Sequence, residues 1–422
     1  MKIQSQKNMA LLLAGFGLGQ GSLFVAQSYL VFMGDTALLG IFGFHFAVSI
    51  LCLQIVDFGG VVTIARYTLS RIEGAENPFE ISRYFWTMCV VRAGVAALLV
   101  VAFILYLGYQ EKGFSYFYVI GAMPAYLIWI FNPAGLLDGV KASGVAGVTA
   151  SFPYLISALF IPTGLFVDSE RDYGLLLGCA LSIGTFLSCA AQWIALSRFN
   201  LPLTFVGWRR ETLILVLKEG ISQILFLLPS QLISRTQIFL VGSTLGASQA
   251  GVFVYARQVI AAATQVIGFS LRAEFPALVQ RMDCQSKGRW ITALINQRFT
   301  IGLALIGFLV AFSFPLAATK ILPNSFDEPL GAIIALAPLI VTTGLYLVFL
   351  RAMMALGWFG STAILGVLSS VIALFIGWRL VAEWGIPGLM IGEACAHCLG
   401  CFLAISVFHV RRNKPRVSKM VD

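Results

Sequence analysis

Glu393 and His397 stand four residues apart in the stretch "EACAHCLGC", so a helix carries both on one face. A carboxylate beside an imidazole can take up a proton, pass it on, or attract a cation. The same stretch holds Cys395, Cys398 and Cys401, which invites a metal reading. Three cysteines at this spacing lack a fourth, and on a helix Cys395 points away from His397, so no metal is expected. Arg235 and Arg257 are each set inside a long apolar run. A guanidinium offers a planar fork that matches phosphate oxygens, so the pair reads as an anion site. Asp57 and Arg92 form a further pair of opposite charges within apolar runs. Amides surround these charges: Gln223 and Gln237 with Ser230 and Ser234, flanked by Gln231, then Gln258 with Gln265, and Gln20 with Gln27. Amides at such spacing share a helical face and supply the donors and acceptors that a sugar needs.

Each group also has a plainer reading. Asp57 and Arg92 can be a static ion pair that holds helices together. Glu393 can neutralise one of the two arginines while the other snorkels outward. The amides can glue membrane helices to one another, and Glu393 with His397 can serve helix packing alone.

The elements that position these residues follow from composition. The chain has 422 residues, of which 59% are hydrophobic and 11% charged. Soluble proteins carry about 25% charged residues, so this chain lacks the charge to cover a globule. Apolar runs of roughly 20 residues mark membrane-crossing helices. They predict twelve, near 9–32, 38–64, 84–108, 114–137, 144–167, 173–197, 220–241, 249–271, 299–319, 329–350, 358–378 and 386–409. Barrel strands would be short and alternating. The fold class is therefore an all-α polytopic membrane protein.

Lysine and arginine set the orientation. With the N-terminus in the cytoplasm, the outer loops hold Lys112, Arg171, Lys320 and Arg379, and Arg92, Arg235 and Arg257 fall inside spans. The rest of the 28 lie in or beside cytoplasmic segments, including 66–83, 272–298 and the tail "RRNKPRVSK". This is the positive-inside pattern. It accounts for the net charge of +9 without a nucleic-acid partner, and the tail can also touch anionic membrane lipids. Both termini are expected in the cytoplasm. Counted from the span ends at the helical rise, Arg235, Arg257, Glu393 and His45 fall in one outer layer, and Asp57 and Arg92 in a deeper inner one. Seven of the eight cysteines lie within spans and Cys284 on the cytoplasmic side, so reduced thiols are expected.

Glycine recurs at every second position in "AGFGLGQGS", as Gly15, Gly17, Gly19 and Gly21. No strand precedes it, which removes the dinucleotide-loop reading. The run forms two interleaved GxxxG pairs on opposite sides of the first span, suited to close packing and to lower stiffness. A weak internal repeat links "FMGDTALLGIFGF" at 32–44 to "LVGSTLGASQAGVFVY" at 240–255, with Gly40, Ile41 and Phe42 matching Gly251, Val252 and Phe253. It divides the chain into a six-helix lobe at 1–197, a linker at 198–212, a second six-helix lobe at 213–410, and a basic tail at 411–422. Six spans per half is an even number, so the halves enter the membrane the same way round.

Two stretches carry a resemblance to a known family. "LLGIFGFHFAVSILCLQIVDFGGVVTIARYTLSR" resembles the second span of bacterial polysaccharide flippases of the Wzx type. "LKEGISQILFLLPSQLISRTQIFLVGSTLGASQAGVFVYARQVIAAATQVIGFSLRAEFPALVQR" resembles their seventh and eighth spans. The wider group comprises the multidrug, oligosaccharidyl-lipid and polysaccharide exporters. The resemblance covers about a quarter of the chain, and it implies two six-helix lobes of MATE-like form in the inner membrane. It further implies alternating access and a polyprenyl-pyrophosphate-linked oligosaccharide as substrate. Arg235, Arg257, His45, Gln20, Gln27, Gln231 and Gln258, the polar residues set within apolar spans, are the candidate binding residues. Glu393, His397, Asp57 and Arg92 are the candidates for ion coupling or charge pairing. A coupling cation (proton or sodium) and a glycan polymerase are candidate partners. No cofactor and no enzymatic activity are expected. Two alternatives stay open: a cation-coupled multidrug antiporter of the same group, and an intramembrane glycan polymerase or glycosyltransferase.

Overall fold

The computed structural model describes residues 2–73, 78–167, 169–199, 201, 203–207, 209–284 and 289–410. Within them the regular structure is helical, with no strand. Among the described residues, ten helical stretches are long and apolar enough to cross a membrane. Two further predicted spans correspond to the shorter apolar helix Phe114–Trp129 and to the long helix Arg210–Leu245. The basic tail at 411–422 lies outside the described residues.

The chain divides into two compact units. The first comprises the residues up to Leu30 and His45–Leu228; the second comprises Val31–Phe44 and the residues from Pro229 onward. The first ten helices are α1 (Lys2–Phe32), α2 (Thr36–Asp57), α3 (Gly60–Glu73), α4 (Pro78–Leu107), α5 (Phe114–Trp129), α6 (Ala134–Gly139), α7 (Ser143–Thr149), α8 (Phe152–Phe160), α9 (Glu170–Leu196) and α10 (Arg210–Leu245). The remaining seven are α11 (Ala247–Cys284), α12 (Arg289–Asn296), α13 (Arg298–Ala318), α14 (Asp327–Leu336), α15 (Pro338–Ala355), α16 (Phe359–Trp384) and α17 (Ile386–Val410).

Small residues set the packing of the first unit. Lipid tails are as apolar as leucine, so helices associate through close contact and hydrogen bonds. On α1, a methyl added at Gly15 would fall 2.5 Å from the Gly147 carbonyl oxygen, and one at Gly19 would fall 3.0 Å from Ser151 Cβ. At Gly17 and Gly21 the same methyl would meet nothing within 4 Å. One side of the glycine run is a packing seat for α7 and α8, and the other is open. Between α5 and α9, Gly121 abuts the Leu175 carbonyl, and Ser182 Oγ donates to the Gly121 carbonyl at 2.6 Å. Phe85, Met88, Leu136 and Leu137 fill a core where α4 and α6 meet.

The second predicted span is interrupted. α2 stops at Asp57, the chain passes through Phe58 (φ 53°) and Gly59 (φ 70°), and α3 begins at Gly60. Glycine adopts this left-handed backbone freely; phenylalanine does so only against strain. In the second unit, α15, α16 and α17 pack around Tyr346, Phe349, Met353 and Phe408. Pro338 opens α15 directly after α14, where a missing N–H costs little.

Candidate functional site

On α17, residues 388, 392, 396, 400 and 404 are Gly, Gly, Ala, Gly and Ala, all buried. This stripe lets neighbouring helices approach within backbone contact. A methyl on Gly392 would lie 2.7 Å from the Gly377 nitrogen, and one on Gly388 2.5 Å from the Leu380 carbonyl oxygen. The stripe fixes the rotation of α17, and with it the direction of the neighbouring positions 393 and 397.

Those positions carry the site. Arg257 Nη2 of α11 donates to Glu393 Oε1 at 2.8 Å, and Gln237 Nε2 of α10 donates to Oε2 at 3.1 Å. Both carboxylate oxygens are therefore held by donors from two other helices. Glu393 is 5% exposed and Gln237 1%. A carboxylate withdrawn from water persists as an anion only with such compensation. The Gln237 Oε1 oxygen is buried and has no hydrogen-bond partner among the described residues. One turn along α17, His397 stacks on Tyr346 with ring centroids 5.1 Å apart, and its Nδ1 lies 3.4 Å from Thr342 Oγ1 and 3.5 Å from Thr343 Oγ1. Arg235 stands two residues before Gln237 on α10 and is half-buried, as is Gln258 beside Arg257. The side chain of Gln231 lies outside the described residues.

The other candidates sit in the first unit. Arg92 has no solvent exposure. It donates to the Asp57 carboxylate at 2.5 Å, to the Asp57 carbonyl at 3.2 Å, to the Asn132 carbonyl at 2.8 Å and to the Ile130 carbonyl at 3.5 Å. The Asp57 carboxylate also accepts the Val61 N–H at 3.1 Å, so it caps the start of α3. One guanidinium thus closes the negative end of α2 and binds the cap of the next helix. Gly60 belongs to the same node, because a methyl there would collide with the guanidinium. His45 Nε2 pairs with Ser115 Oγ at 2.8 Å and its ring packs at a tilt against Tyr118, joining α2 to α5. Gln27 is 2% exposed and Gln20 half-buried, both on α1. Glu219 of α10 accepts hydrogen bonds from Arg66 and Tyr84, linking α10 to α3 and α4.

The structure therefore brings Arg257, Glu393 and His397 together in the second unit. Asp57, Arg92, His45, Gln20 and Gln27 lie in the first. Sequence reasoning did not assign Gln237 to Glu393, and it passed over Thr342, Thr343 and Tyr346. The signal was there: adjacent threonines with a tyrosine three residues on interrupt an apolar span. It also gave Glu219 no role.

No protein-family model and no curated protein sequence matches the chain. Solved structures do. The inward-facing conformation of a multidrug resistance MATE family transporter of the MOP superfamily superposes with a TM-score of 0.74 at 15% identity, over 96% of this chain and 98% of that one. The chain has the MATE fold. The lipid II flippase MurJ in its inward closed conformation matches with a TM-score of 0.69 at 10% identity, over 95% of this chain and 87% of that one. The MATE multidrug transporter DinF-BH matches with a TM-score of 0.62 at 15% identity, over 98% of this chain and 96% of that one. A MATE-fold chain with this many apolar helices is a multi-pass membrane protein.

Proposed function

We propose that the protein is a flippase that moves a polyprenyl-pyrophosphate-linked oligosaccharide across the bacterial inner membrane by alternating access, with both termini in the cytoplasm. The observation that carries this reading is the charge of the second unit. Its predicted spans hold two arginines, Arg235 and Arg257, on consecutive helices, and a single acid, Glu393. Charged groups inside a bilayer are costly and mark substrate or ion pathways. A pyrophosphate diester carries about two negative charges, which a desolvated site must balance with fixed cations. The surrounding amides supply partners for the first sugars, and the structures of similar fold include the lipid II flippase MurJ. Multidrug carriers share that fold, so the test must separate the two.

Replacing Arg235 and Arg257 together by glutamine should abolish surface glycan while lipid-linked oligosaccharide accumulates on the cytoplasmic face. Susceptibility to lipophilic cationic drugs should stay unchanged. Wild-type glycan in the double variant overturns the reading. Drug sensitivity with normal glycan replaces it with the multidrug antiporter.

A further inference from the structure

The Glu393 carboxylate occupies the guanidinium that an anionic substrate would use. We propose that Arg257 exchanges partners during transport: a phosphate group displaces Glu393, and the released carboxylate takes up one proton. This deepens the flippase reading and rests on it.

Three observations support the exchange. Arg257 meets Glu393 through one nitrogen at 2.8 Å, a single contact from a group built to hold two oxygens. A phosphate can use the fork fully, so it is the stronger partner once it arrives. Second, the released carboxylate would be a buried anion that keeps only the neutral amide of Gln237. Such a charge is strongly disfavoured, and protonation removes it. Third, the site already holds an acceptor for the new proton. Gln237 Oε1 is buried and without a donor among the described residues. Turning its amide by half a revolution points that oxygen at Glu393, so the new O–H group gains a partner where the carboxylate previously accepted an N–H. The proton comes from solvent and ends on Glu393; the only bond formed is that O–H, and no covalent bond breaks.

The charged and titratable groups that act on Glu393 are Arg257 of α11 and His397 of α17, with the amide of Gln237 from α10. α16 meets this region of α17 through the backbone of Ala373 and Gly377, and α15 brings Tyr346 against His397. His397 is the alternative proton acceptor, and the experiment separates it.

The full-length protein in phosphatidylcholine nanodiscs is titrated with inorganic pyrophosphate by calorimetry, in two buffers of different ionisation enthalpy. The wild type should take up about one proton per pyrophosphate bound. Glu393→Gln should bind about tenfold more tightly, since no carboxylate competes, and take up none. His397→Gln should retain the uptake, and Arg257→Gln should lose binding. Binding without proton uptake overturns the exchange but leaves the anion site standing. Uptake lost in His397→Gln and kept in Glu393→Gln also overturns it. No binding in either the wild type or Glu393→Gln overturns the anionic-substrate reading as well. Repeating the titration with phosphatidylglycerol in the disc distinguishes the source of the phosphate: if that lipid displaces pyrophosphate, the site serves bulk lipid and the substrate assignment fails.

Discussion

Gly40 and Gly251 occupy equivalent places in one reciprocal contact. A methyl on Gly40 would run into the Ala247 carbonyl oxygen and lie 2.8 Å from the Gly251 nitrogen. A methyl on Gly251 would run into the Thr36 carbonyl oxygen and lie 2.9 Å from the Gly40 nitrogen. Thr36 precedes Gly40 by four residues, as Ala247 precedes Gly251. The contact has the self-complementary form of a two-fold interface, made here within one unit between the two segments that the internal repeat pairs. Thr36 Oγ1 and Ser248 Oγ, 2.6 Å apart, add a hydrogen bond beside it.

Because the obstructing atoms are backbone, neither glycine tolerates a side chain. Gly40→Ala and Gly251→Ala should each destabilise the protein by about 1–3 kcal/mol through overpacking. The double variant should cost less than the sum, since the first displacement opens space for the second. Melting temperatures of the purified variants in detergent test this. Full additivity would show that the two sites do not share one contact.

The glycines of α1 should separate into two classes. Gly15→Ala faces the Gly147 carbonyl and should lower the melting temperature. Gly17→Ala and Gly21→Ala meet open space and should raise stability by up to about 1 kcal/mol each, the usual helix-propensity difference. If this helix bends during turnover, those stabilised variants transport more slowly. Unchanged transport would reduce the open glycines to tolerated residues.

Arg92 should act as a structural node. Removing one partner of a buried ion pair costs about 3–5 kcal/mol, so Arg92→Met should give little folded protein. Arg92→Lys should rescue it poorly, because an ammonium does not reproduce the fork that spans the Asp57 carboxylate and the three carbonyls. Yield by size-exclusion chromatography is the measurement. A well-folded Arg92→Met protein with impaired transport would move this residue into the transport machinery.

Asp138 lies on α6, between the membrane-crossing helices, and burial raises its pKa from 3.8 to about 6. The folded state then binds this proton more tightly than the unfolded state. Its contribution to stability is fully present below about pH 4 and is lost as pH rises through about 6. Asp138→Asn should flatten that part of the melting-temperature profile. An identical slope in the variant would exclude Asp138 as its source.

The spans were legible because membrane helices announce themselves by length and apolarity, with little interference from tertiary context. The breaks were harder to see. Gly59 and Gly60 signal a turn after Asp57, yet nothing in the residue type places Phe58 at positive φ; the surrounding fold imposes that. The partners of Arg92 were hidden for a related reason. Three of them are carbonyl groups, of Asp57, Ile130 and Asn132, which exist at every residue and leave no trace in the sequence. Glu393 and Arg257 were legible as rare charges in apolar runs. Gln237 was visible only as one amide among several, since the rotation of α17 that selects it comes from glycine contacts made at a distance.

The glycine stripe of α17 also determines what the helix shows outside. With one flank pressed on α15 and α16 and the next turned to Arg257, the remaining flank presents Cys395 and Cys398, both exposed, beside Leu399 and Phe402. These native thiols are attachment points for spectroscopic labels, one turn from the charged residues and outside the packed seam. A spin label at either would report motion of this helix during turnover without any engineered cysteine.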